Sequence, residues 1–567
     1  MRDETRNFVL FVLLAGLILF GWPLITNRVL PTNPPATKIA DGKQVALPKP
    51  QADPTADSPA ALRDRATVLA ATPRVRIETP TLRGSINLVG PRIDDLTLTG
   101  YNETVARDSA PIRLLSPAGA PGAYFASFGW RGTGVQAPGP DTVWRASAPV
   151  LRPGQPVTLE AGGAGGQRYR IVLAVDEHYM FTVRQTVANA GNGAVAVQPY
   201  ALVNRSGVSR DPDSWTVHVG PMAVHGDEAD YSHDFDDLNE APAAFRTTGG
   251  WLGFTEKYWL TALIPDQGAP AEFQMRAGPN NSYQADWATA QPSVVAPGRQ
   301  LSTTSRFFAG AKETRLLDAY QDELGVPKLE FATDWGWFRF VEKPIFYYLS
   351  WLFRHVGNFG IAIILLTLTI RLVTFPIAQR QFASMASMRA LQPKVKALQE
   401  RYKDDKAELQ QRTLQLYREE KVNPLAGCAP SLIQIPIFYA LYKVLLVSLE
   451  MRHQPFVLWI KDLSAPDPLT PVNLFGLLDF TAPPFIAIGV VPILLGISMY
   501  FQFKLNPAPT DEMQKQVFGI LPWVMMFMMA PFAVGLQVYW ITSNVLTIAQ
   551  QRWLYSRHPA LKTAAAK

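Results

Sequence analysis

Polar side chains recur at helical spacing inside apolar stretches of this 567-residue chain. Arg371 lies within the apolar run 356–376, which is long enough to cross a bilayer as a helix. A charge in hydrocarbon costs about 3 kcal/mol or more, so an arginine here indicates a function. Thr367 precedes Arg371 by four residues and therefore lies on the same helix face. Such residues can attract an acidic group or hydrogen-bond a polar chain partway through a membrane.

Two later apolar segments carry further polar residues. Gln434 lies between two prolines, and the final segment has a polar stripe at spacings of three and four: Gln537, Trp540, Asn544, Thr547 and Gln551. A stripe of this kind faces a bundle interior or a wet cavity, which predicts a shared hydrophilic groove. Two alternatives stay open. The amides and hydroxyls could only pack helix against helix, and Arg371, five residues before Pro376, could snorkel to the headgroups.

The apolar pattern predicts six membrane spans: an amino-terminal anchor within 1–27, then 356–376, 425–449, 485–503, 517–533 and 536–551. No small-x-small site follows the apolar stretch 8–25, so an uncleaved signal anchor is expected. Segment 377–424 holds ten Lys or Arg against six Asp or Glu, and the tail 552–567 is basic. The positive-inside rule places both in the cytoplasm. The expected topology is therefore multi-pass and N-in/C-in, with 28–330 periplasmic in a bacterial inner membrane.

The exported part divides by composition. A Pro-rich linker (28–73) precedes a region of two-residue alternation (74–333), which predicts a large antiparallel β-sandwich. Within it, 168–189 predicts a hairpin that turns at Asp176–Glu177. The acidic stretch 211–240 has three histidines whose spacing fits no compact metal site, and it is expected to be a solvated loop. Residues 334–355 predict an interfacial amphipathic helix, and 450–484 a periplasmic loop.

Segment 377–424 predicts a cytoplasmic antiparallel helical hairpin that begins after Pro376 ends the membrane run and breaks at 403–405. Its charges could form a solvated face or dock an acidic partner or ribosomal RNA. The net charge of +6 is modest and the basic residues cluster at membrane edges, so no DNA partner is expected. With one cysteine, Cys428, no intramolecular disulfide can form. No motif for catalysis, for a metal or for a cofactor is present, so a non-enzyme without cofactors is expected.

Several motifs resemble those of the YidC/Oxa/Alb family of membrane protein insertases in its Gram-negative form. They are VGNFG (356–360), FPIAQRQFASMASMRALQPKVKALQERYKDDK (375–406), EEKVNPLAGCAPSLIQIPIFYALY (419–442), VLWIKDLSAPDP (457–468) and YWITSNVLTIAQQ (539–551). The resemblance is specific over about 334–555 and looser in the exported region. It implies a five-helix core around a hydrophilic groove that is open to cytoplasm and lipid and closed towards the periplasm. The exported domain would be a β-supersandwich.

The resemblance also implies roles for particular residues. Arg371 matches the groove arginine of the family, Thr367 a substrate-contacting threonine and Gln434 a groove glutamine. Where the family has two adjacent tyrosines, this chain has Tyr539–Trp540, which leaves open the ring that touches substrate. The implied partners are nascent membrane proteins, the Sec translocon, the lipid bilayer, and the ribosome through the hairpin and basic tail. The rival functions are a solute transporter or channel and a membrane-anchored periplasmic sensor.

Overall fold

The described chain folds into two compact units, one within residues 31–334 and the other within residues 335–567. In this computed structural model the described residues are 39–40, 43–44, 62–133, 135–163, 165–209, 211, 216–402, 405–420, 429–478, 487–505 and 512–557. The predicted anchor 8–25, most of the linker, Cys428 and the end of the basic tail lie outside them.

Unit 31–334 is built on two large sheets. The first sheet has nine strands in the spatial order β15 (Glu228–Asp230), β14 (Gly220–His225), β17 (Trp251–Thr255), β18 (Trp259–Ile264), β22 (Gln300–Ala311), β12 (Met180–Asn189), β11 (Gln167–Val175), β10 (Val157–Gly162) and β8 (Arg145–Ala146). Its pairings are antiparallel throughout. The predicted hairpin is present, because β11 ends at Val175 and β12 begins at Met180.

The second sheet has eleven strands. Its main path is β16 (Ala243–Thr248), β19 (Pro270–Gly278), β20 (Ser282–Thr289), β13 (Val195–Ser206), β7 (Tyr124–Thr133), β5 (Arg92–Asn102), β4 (Leu82–Asn87), β3 (Arg74–Glu78) and β9 (Val150–Leu151). Beside that path, β21 (Ser293–Val295) pairs with β13 and β6 (Pro111–Leu115) with β5. A separate two-residue pair joins β1 (Ile39–Ala40) to β2 (Lys43–Gln44).

The sheets pack face to face through buried side chains. The rings of Phe128 and Phe307 are 6.3 Å apart and meet edge to face, and the hydroxyls of Tyr124 and Thr261 are 2.5 Å apart across the interface. Alternating burial along β11, with every second residue buried, shows how the period-2 pattern produces this core. The predicted antiparallel β-sandwich is thereby confirmed as a mostly β-sheet domain.

Two regions of this unit depart from the predictions. The acidic stretch 211–240 is not a loop over its described length, because it contains β14, β15 and the helix α2 (Phe235–Glu240), which Asp234 and Asp237 cap reciprocally. The linker end folds into α1 (Arg65–Ala70), and Arg65 is ion-paired with Asp95 of β5. The sequence pattern missed α1 because one short helix with a single buried residue, Val68, has almost no periodic signal.

The other described helix of this unit is α3 (Thr314–Leu324), followed by a 3₁₀ turn at Leu329–Ala332. The second unit is helical. It contains α4 (Arg339–Val356), α5 (Phe359–Arg401), α6 (Lys406–Glu419), α7 (Ala429–Val447), α8 (Val490–Leu505), α9 (Glu512–Met529) and α10 (Val534–Arg557). Two 3₁₀ segments, Leu449–Met451 and Pro471–Gly476, lie between α7 and α8.

The helix α5 corrects the expectation that Pro376 ends a helix. It runs unbroken for 43 residues, with Pro376 and Pro393 inside it. A proline removes one backbone hydrogen bond, and the Ala, Gln, Arg and Met residues that follow are good helix formers, so the helix continues. Asp405 caps α6, and an ion pair joins Lys394 of α5 to Glu420. The cytoplasmic placement of this pair of helices stays a prediction.

Among the described residues, Phe359–Gln379 is the stretch both long and apolar enough to cross a membrane, with a mean hydropathy of 2.2. Three shorter apolar stretches follow, Gln434–Val447, Val490–Leu505 and Gln516–Met529. The predicted count of six spans therefore stays a prediction.

Candidate functional site

The polar residues predicted from spacing meet around α10. Arg371 of α5 is half-buried, and one guanidinium nitrogen donates to the Ser543 hydroxyl and, at 3.2 Å, to the Ser543 carbonyl. Within the described part of the chain, Arg371 forms no ion pair with a carboxylate. The cation is therefore held by neutral oxygen atoms of a neighbouring helix, and no carboxylate among the described residues pairs with it.

Two further hydrogen bonds join α10 to other helices. Gln434 of α7 donates through its side-chain amide to the hydroxyl of Tyr539, which is 1% exposed. Asn544 donates to the Ser498 hydroxyl of α8 at 2.8 Å. Since Tyr539, Ser543 and Asn544 contact three different helices, α10 is the element that positions the site.

The remaining predicted residues have local partners. Thr367 is 1% exposed, and its hydroxyl donates to the Ile363 carbonyl one turn earlier at 2.7 Å. Gln537 is fully buried, and its amide donates to the carbonyls of Met529 and Phe532 at 3.0 and 2.9 Å. It therefore closes the turn between α9 and α10 by satisfying the last carbonyl of α9 and one carbonyl of the turn itself.

Trp540 is half-buried, and its ring packs edge to face on Phe438 of α7 at 4.9 Å. The hydroxyl of the neighbouring Tyr539 is buried and accepts the hydrogen bond from Gln434. Of the two adjacent aromatic residues, Trp540 thus has the more accessible ring.

Sequence reasoning missed two residues of this cluster, Ser543 and Ser498. Ser543 had a usable signal, because it lies three residues after Trp540 and four before Thr547, whose hydroxyl donates to the Ser543 carbonyl at 2.7 Å. Ser498 is a single hydroxyl in an apolar helix, and only the three-dimensional contact with Asn544 shows its role.

A loop closes one end of the helical unit. Backbone N–H groups at the start of α10 donate to it, from Val534 to Ala465 at 2.9 Å and from Gly535 to Leu463 at 2.9 Å. The N-cap residue of α5, Asn358, donates through its side chain to the Phe456 carbonyl at 2.9 Å.

The same loop binds the start of α8 through Asp467, which is 8% exposed. Its carboxylate accepts from the N–H groups of Val491 at 2.8 Å and Leu469 at 3.0 Å and from the indole of Trp459 at 2.9 Å. A carboxylate at a helix N-terminus also interacts favourably with the helix dipole. The loop therefore fixes the starts of α5, α8 and α10 at one level.

The distance of the polar cluster from this closed end can be calculated along α5 and α10. Arg371 lies twelve residues into α5 and Ser543 nine residues into α10, which at 1.5 Å per residue gives about 18 and 14 Å. A hydrocarbon core is about 30 Å thick. The cluster thus lies about half a bilayer thickness from the closed end.

Comparison with known proteins agrees with a chain that has a β-sheet domain followed by a helical bundle with a polar cluster. Residues 74–348 match the family model described as the YidC periplasmic domain, and residues 351–561 match that of the 60Kd inner membrane protein. The structure and these matches define the class, an inner-membrane protein with a large, mostly β-sheet periplasmic domain.

Curated relatives give the family. The chain is 50% identical over 561 residues to a protein of Zymomonas mobilis, and 42% identical over 589 residues to one of Beijerinckia indica. In each case 98% of this chain and 96% of the relative are covered, and both relatives are named membrane protein insertase YidC. The chain belongs to the YidC family of membrane protein insertases.

Solved structures show weaker likeness. A crystal structure of an active YidC insertase with its first transmembrane domain resolved is 18% identical, with a TM-score of 0.37 over 84% of this chain and 92% of that one. A putative aldose 1-epimerase of Escherichia coli has 11% identity and a TM-score of 0.27, covering 42% of this chain and 99% of that one. At these scores neither likeness bears on function.

Proposed function

We propose that this protein inserts nascent membrane proteins into the inner membrane by offering a hydrated polar path around Arg371. The observation that carries the proposal is a guanidinium about 18 Å from the closed end of the bundle, bound to Ser543 and without a carboxylate partner in the described part of the chain. A polar tail that crosses hydrocarbon without partners loses its hydrogen bonds to water, at a cost of about 2–7 kcal/mol per group. Hydrogen-bonding groups partway through lower that cost.

The geometry favours a groove over a snorkelling arginine. A snorkelling side chain extends along its own helix towards the headgroups. Arg371 instead reaches sideways to a neighbouring helix, and it lies in the middle part of the bilayer if α5 spans it. The driving force is burial of the incoming apolar segment in lipid, so no nucleotide is needed.

Photocrosslinking tests the path. A crosslinker at Trp540, which is half-buried and packs on Phe438, should capture the polar tail of a stalled nascent membrane protein. Val545 of the same helix is 54% exposed and lies on another face, so it is the matched control. Equal capture of the tail from both positions would contradict a defined path.

The proposed topology is N-in/C-in with the β-domain periplasmic. The alternation of α5, α7, α8, α9 and α10 supports it, since the loop that closes the bundle meets the starts of α5, α8 and α10. Reporter fusions after residues 400 and 555 should both report cytoplasm. A periplasmic signal from either would disprove the span count.

We also propose that α6 with the second half of α5, together with the basic tail, docks the ribosome, and that the protein works alone or with the Sec translocon. Segment 377–424 has ten basic and six acidic residues, and this excess of positive charge supports binding to RNA. Cosedimentation of ribosomes with the full chain and with a variant that lacks 384–418 tests this role, and unchanged binding would refute it.

The rival sensor function depends on the β-domain. If insertion depends on the helical unit, a variant that lacks about 40–310 but keeps the anchor and 331–355 should support growth of cells depleted of the insertase. Loss of insertion by a stably expressed variant would favour the sensor.

A further inference from the structure

The loop between α7 and α8 carries apolar side chains that nothing in the described structure covers. Leu458 is 85% exposed and Leu477 is 83% exposed. They belong to two short apolar tips, the first tip being Val457–Leu458 and the second tip residues 472–478. In the second tip Leu474 and Phe475 are 52% and 54% exposed. Neither tip contains a charged residue. Exposed apolar clusters of this kind mark an interaction surface.

Both tips are turns with a defined backbone geometry. In the second tip Phe475 N–H donates to the Thr470 carbonyl at 3.0 Å, and Leu478 N–H donates to the Asn473 carbonyl at 3.1 Å. Leu474 and Phe475 have φ of 49° and 60°, and Leu458 of the first tip has 54°. This left-handed backbone is unfavourable for bulky L-residues. The fold therefore holds three large apolar residues in a costly conformation while leaving their side chains exposed.

The attachment of the loop shows the level at which the tips lie. Val490 and Val491, the first residues of α8, donate to the Leu469 carbonyl and the Asp467 carboxylate at 3.0 and 2.8 Å. Between Leu494 and Phe501 of α8 the exposed side chains are apolar or aromatic, namely Leu494, Ile497, Tyr500 and Phe501. The second tip therefore follows directly after the residues that bind the start of α8, a proposed membrane helix with an apolar outer surface.

We infer that the two apolar tips insert into the interfacial layer of the outer leaflet, so that the loop is a lipid-binding surface. The inference rests on the proposed topology, which places this loop on the periplasmic side. Apolar side chains at the boundary between headgroups and acyl chains gain by leaving water, as in interfacial anchors. The exposed Lys461 lies between the tips in sequence and suits contact with an anionic headgroup.

A lipid surface fits the tips better than a protein partner. A specific protein interface needs a continuous complementary patch of about 800 Å² per partner with polar groups that fix orientation. The tips instead offer Leu, Val and Phe side chains on two separate turns. Continuity with the exposed apolar face of α8 also favours lipid, because that face is proposed to contact acyl chains.

Depth-dependent fluorescence quenching tests the inference. In a Cys428→Ser background, Leu458→Cys and Leu477→Cys are each labelled with a polarity-sensitive nitrobenzoxadiazole probe. The full-length protein is reconstituted into vesicles of phosphatidylethanolamine and phosphatidylglycerol. The control is Val294→Cys, which is 73% exposed on the β-domain. Quenchers are iodide in water and a lipid with a nitroxide on its acyl chain near the headgroup.

Both loop probes should show blue-shifted emission, strong quenching by the nitroxide lipid and weak quenching by iodide, whereas the Val294 probe should show the reverse. Iodide quenching of the loop probes equal to that of the control would overturn the inference. Shielding from iodide without nitroxide quenching would also overturn it, because a protein would then cover the tips. The reporter fusions test topology without these probes, so failure of topology and failure of lipid contact are distinguishable.

Discussion

Replacement of Arg371 separates an electrostatic role in insertion from a purely structural one. The guanidinium donates to the hydroxyl and carbonyl of Ser543 and has no carboxylate partner in the described part of the chain, so its charge is available to a passing acid. At 4 Å a unit charge attracts a carboxylate by about 4 kcal/mol at an effective dielectric constant of about 20, against about 1 kcal/mol in water. The difference, about 3 kcal/mol, corresponds to about a hundredfold in the occupancy of the path by an acidic tail.

The variants should follow charge rather than size. Arg371→Lys keeps the cation and should retain much of the activity, although it loses the planar guanidinium whose one nitrogen binds both oxygens of Ser543. Arg371→Glu should lose most insertion of acidic tails, because attraction becomes repulsion. Arg371→Ala should lie between them. A Ser543→Ala control loosens the guanidinium but leaves its charge, so its defect should be milder.

The assay compares two nascent membrane proteins that differ only in their periplasmic tails, one acidic and one with its acids replaced by amides. Insertion is measured as protease protection in vesicles that contain each variant at equal level. The acidic tail should show the full dependence on position 371, and the neutral tail the least. Equal sensitivity of both tails across the series would refute the electrostatic role and leave a hydrated path alone.

The snorkel alternative has its own control. Ile377, which is 48% exposed, lies one residue beyond Pro376 on the same helix. If Arg371 only anchors a helix end, Ile377→Lys should rescue Arg371→Ala, since a cation at the interface would do the same work. A cation that must act within the bilayer cannot be replaced from there. Full rescue would therefore favour the snorkel.

Three further predictions concern the supporting structure. Asp467→Ala should destabilise the closed end by about 0.5–2 kcal/mol, as loss of a helix cap does, and lower the thermal midpoint of the purified protein, whereas Asp467→Asn should do less harm. Deletion of 384–418 should impair insertion while the remaining helices stay folded. Lys394→Ala breaks one exposed ion pair and should change stability by only about 0–1 kcal/mol. A severe defect from Lys394→Ala would indicate a specific contact. The hydrogen bond from His233 to Asp230 raises the pKa of His233 above its usual 6.5. Burial alone would raise the pKa of Asp230, but hydrogen bonds from His233 and Ser232 hold it below the usual 3.8. The contribution of His233 to stability is complete below pH 6.5 and is lost as the pH rises through its raised pKa. The contribution of Asp230 is lost as the pH falls through its lowered pKa. Protection factors of the amides in 228–248, which remove the intrinsic pH dependence of exchange, should therefore be highest between about pH 4 and 6.5, and His233→Ala should abolish their fall above that range.

The sequence predicted best where a pattern repeats over many residues. Alternation along β11 and β12 and the turn at Asp176–Glu177 appear in the structure because a half-buried strand imposes a period of two. The same reasoning failed for short elements. The helix α1 and the strands within 211–240 depend on contacts from elsewhere in the chain, such as the ion pair of Arg65 with Asp95.

The candidate site shows the same division. Helical spacing placed Thr367 and Arg371 on one face and predicted a stripe along α10, because both follow from 3.6 residues per turn. Spacing cannot tell which helix a stripe meets, so the bonds to Ser498 and from Gln434 needed the structure. Spacing also cannot tell which carbonyls a side-chain amide binds, and Gln537 donates to those of Met529, at the end of α9, and Phe532, in the turn that follows.

Burial separates the polar residues that hold the helices together from those that can meet a substrate. Lipid provides no hydrophobic force between helices, so polar contacts and close packing must fix the bundle. Asn544 is 2% exposed and already bound to Ser498, so releasing it would expose two unpaired groups. Arg371 differs, because it is half-buried and its guanidinium has five N–H donors, of which one nitrogen serves Ser543. On the proposed path, a passing tail would bind the other nitrogens of Arg371 without breaking the contact with Ser543 that positions it.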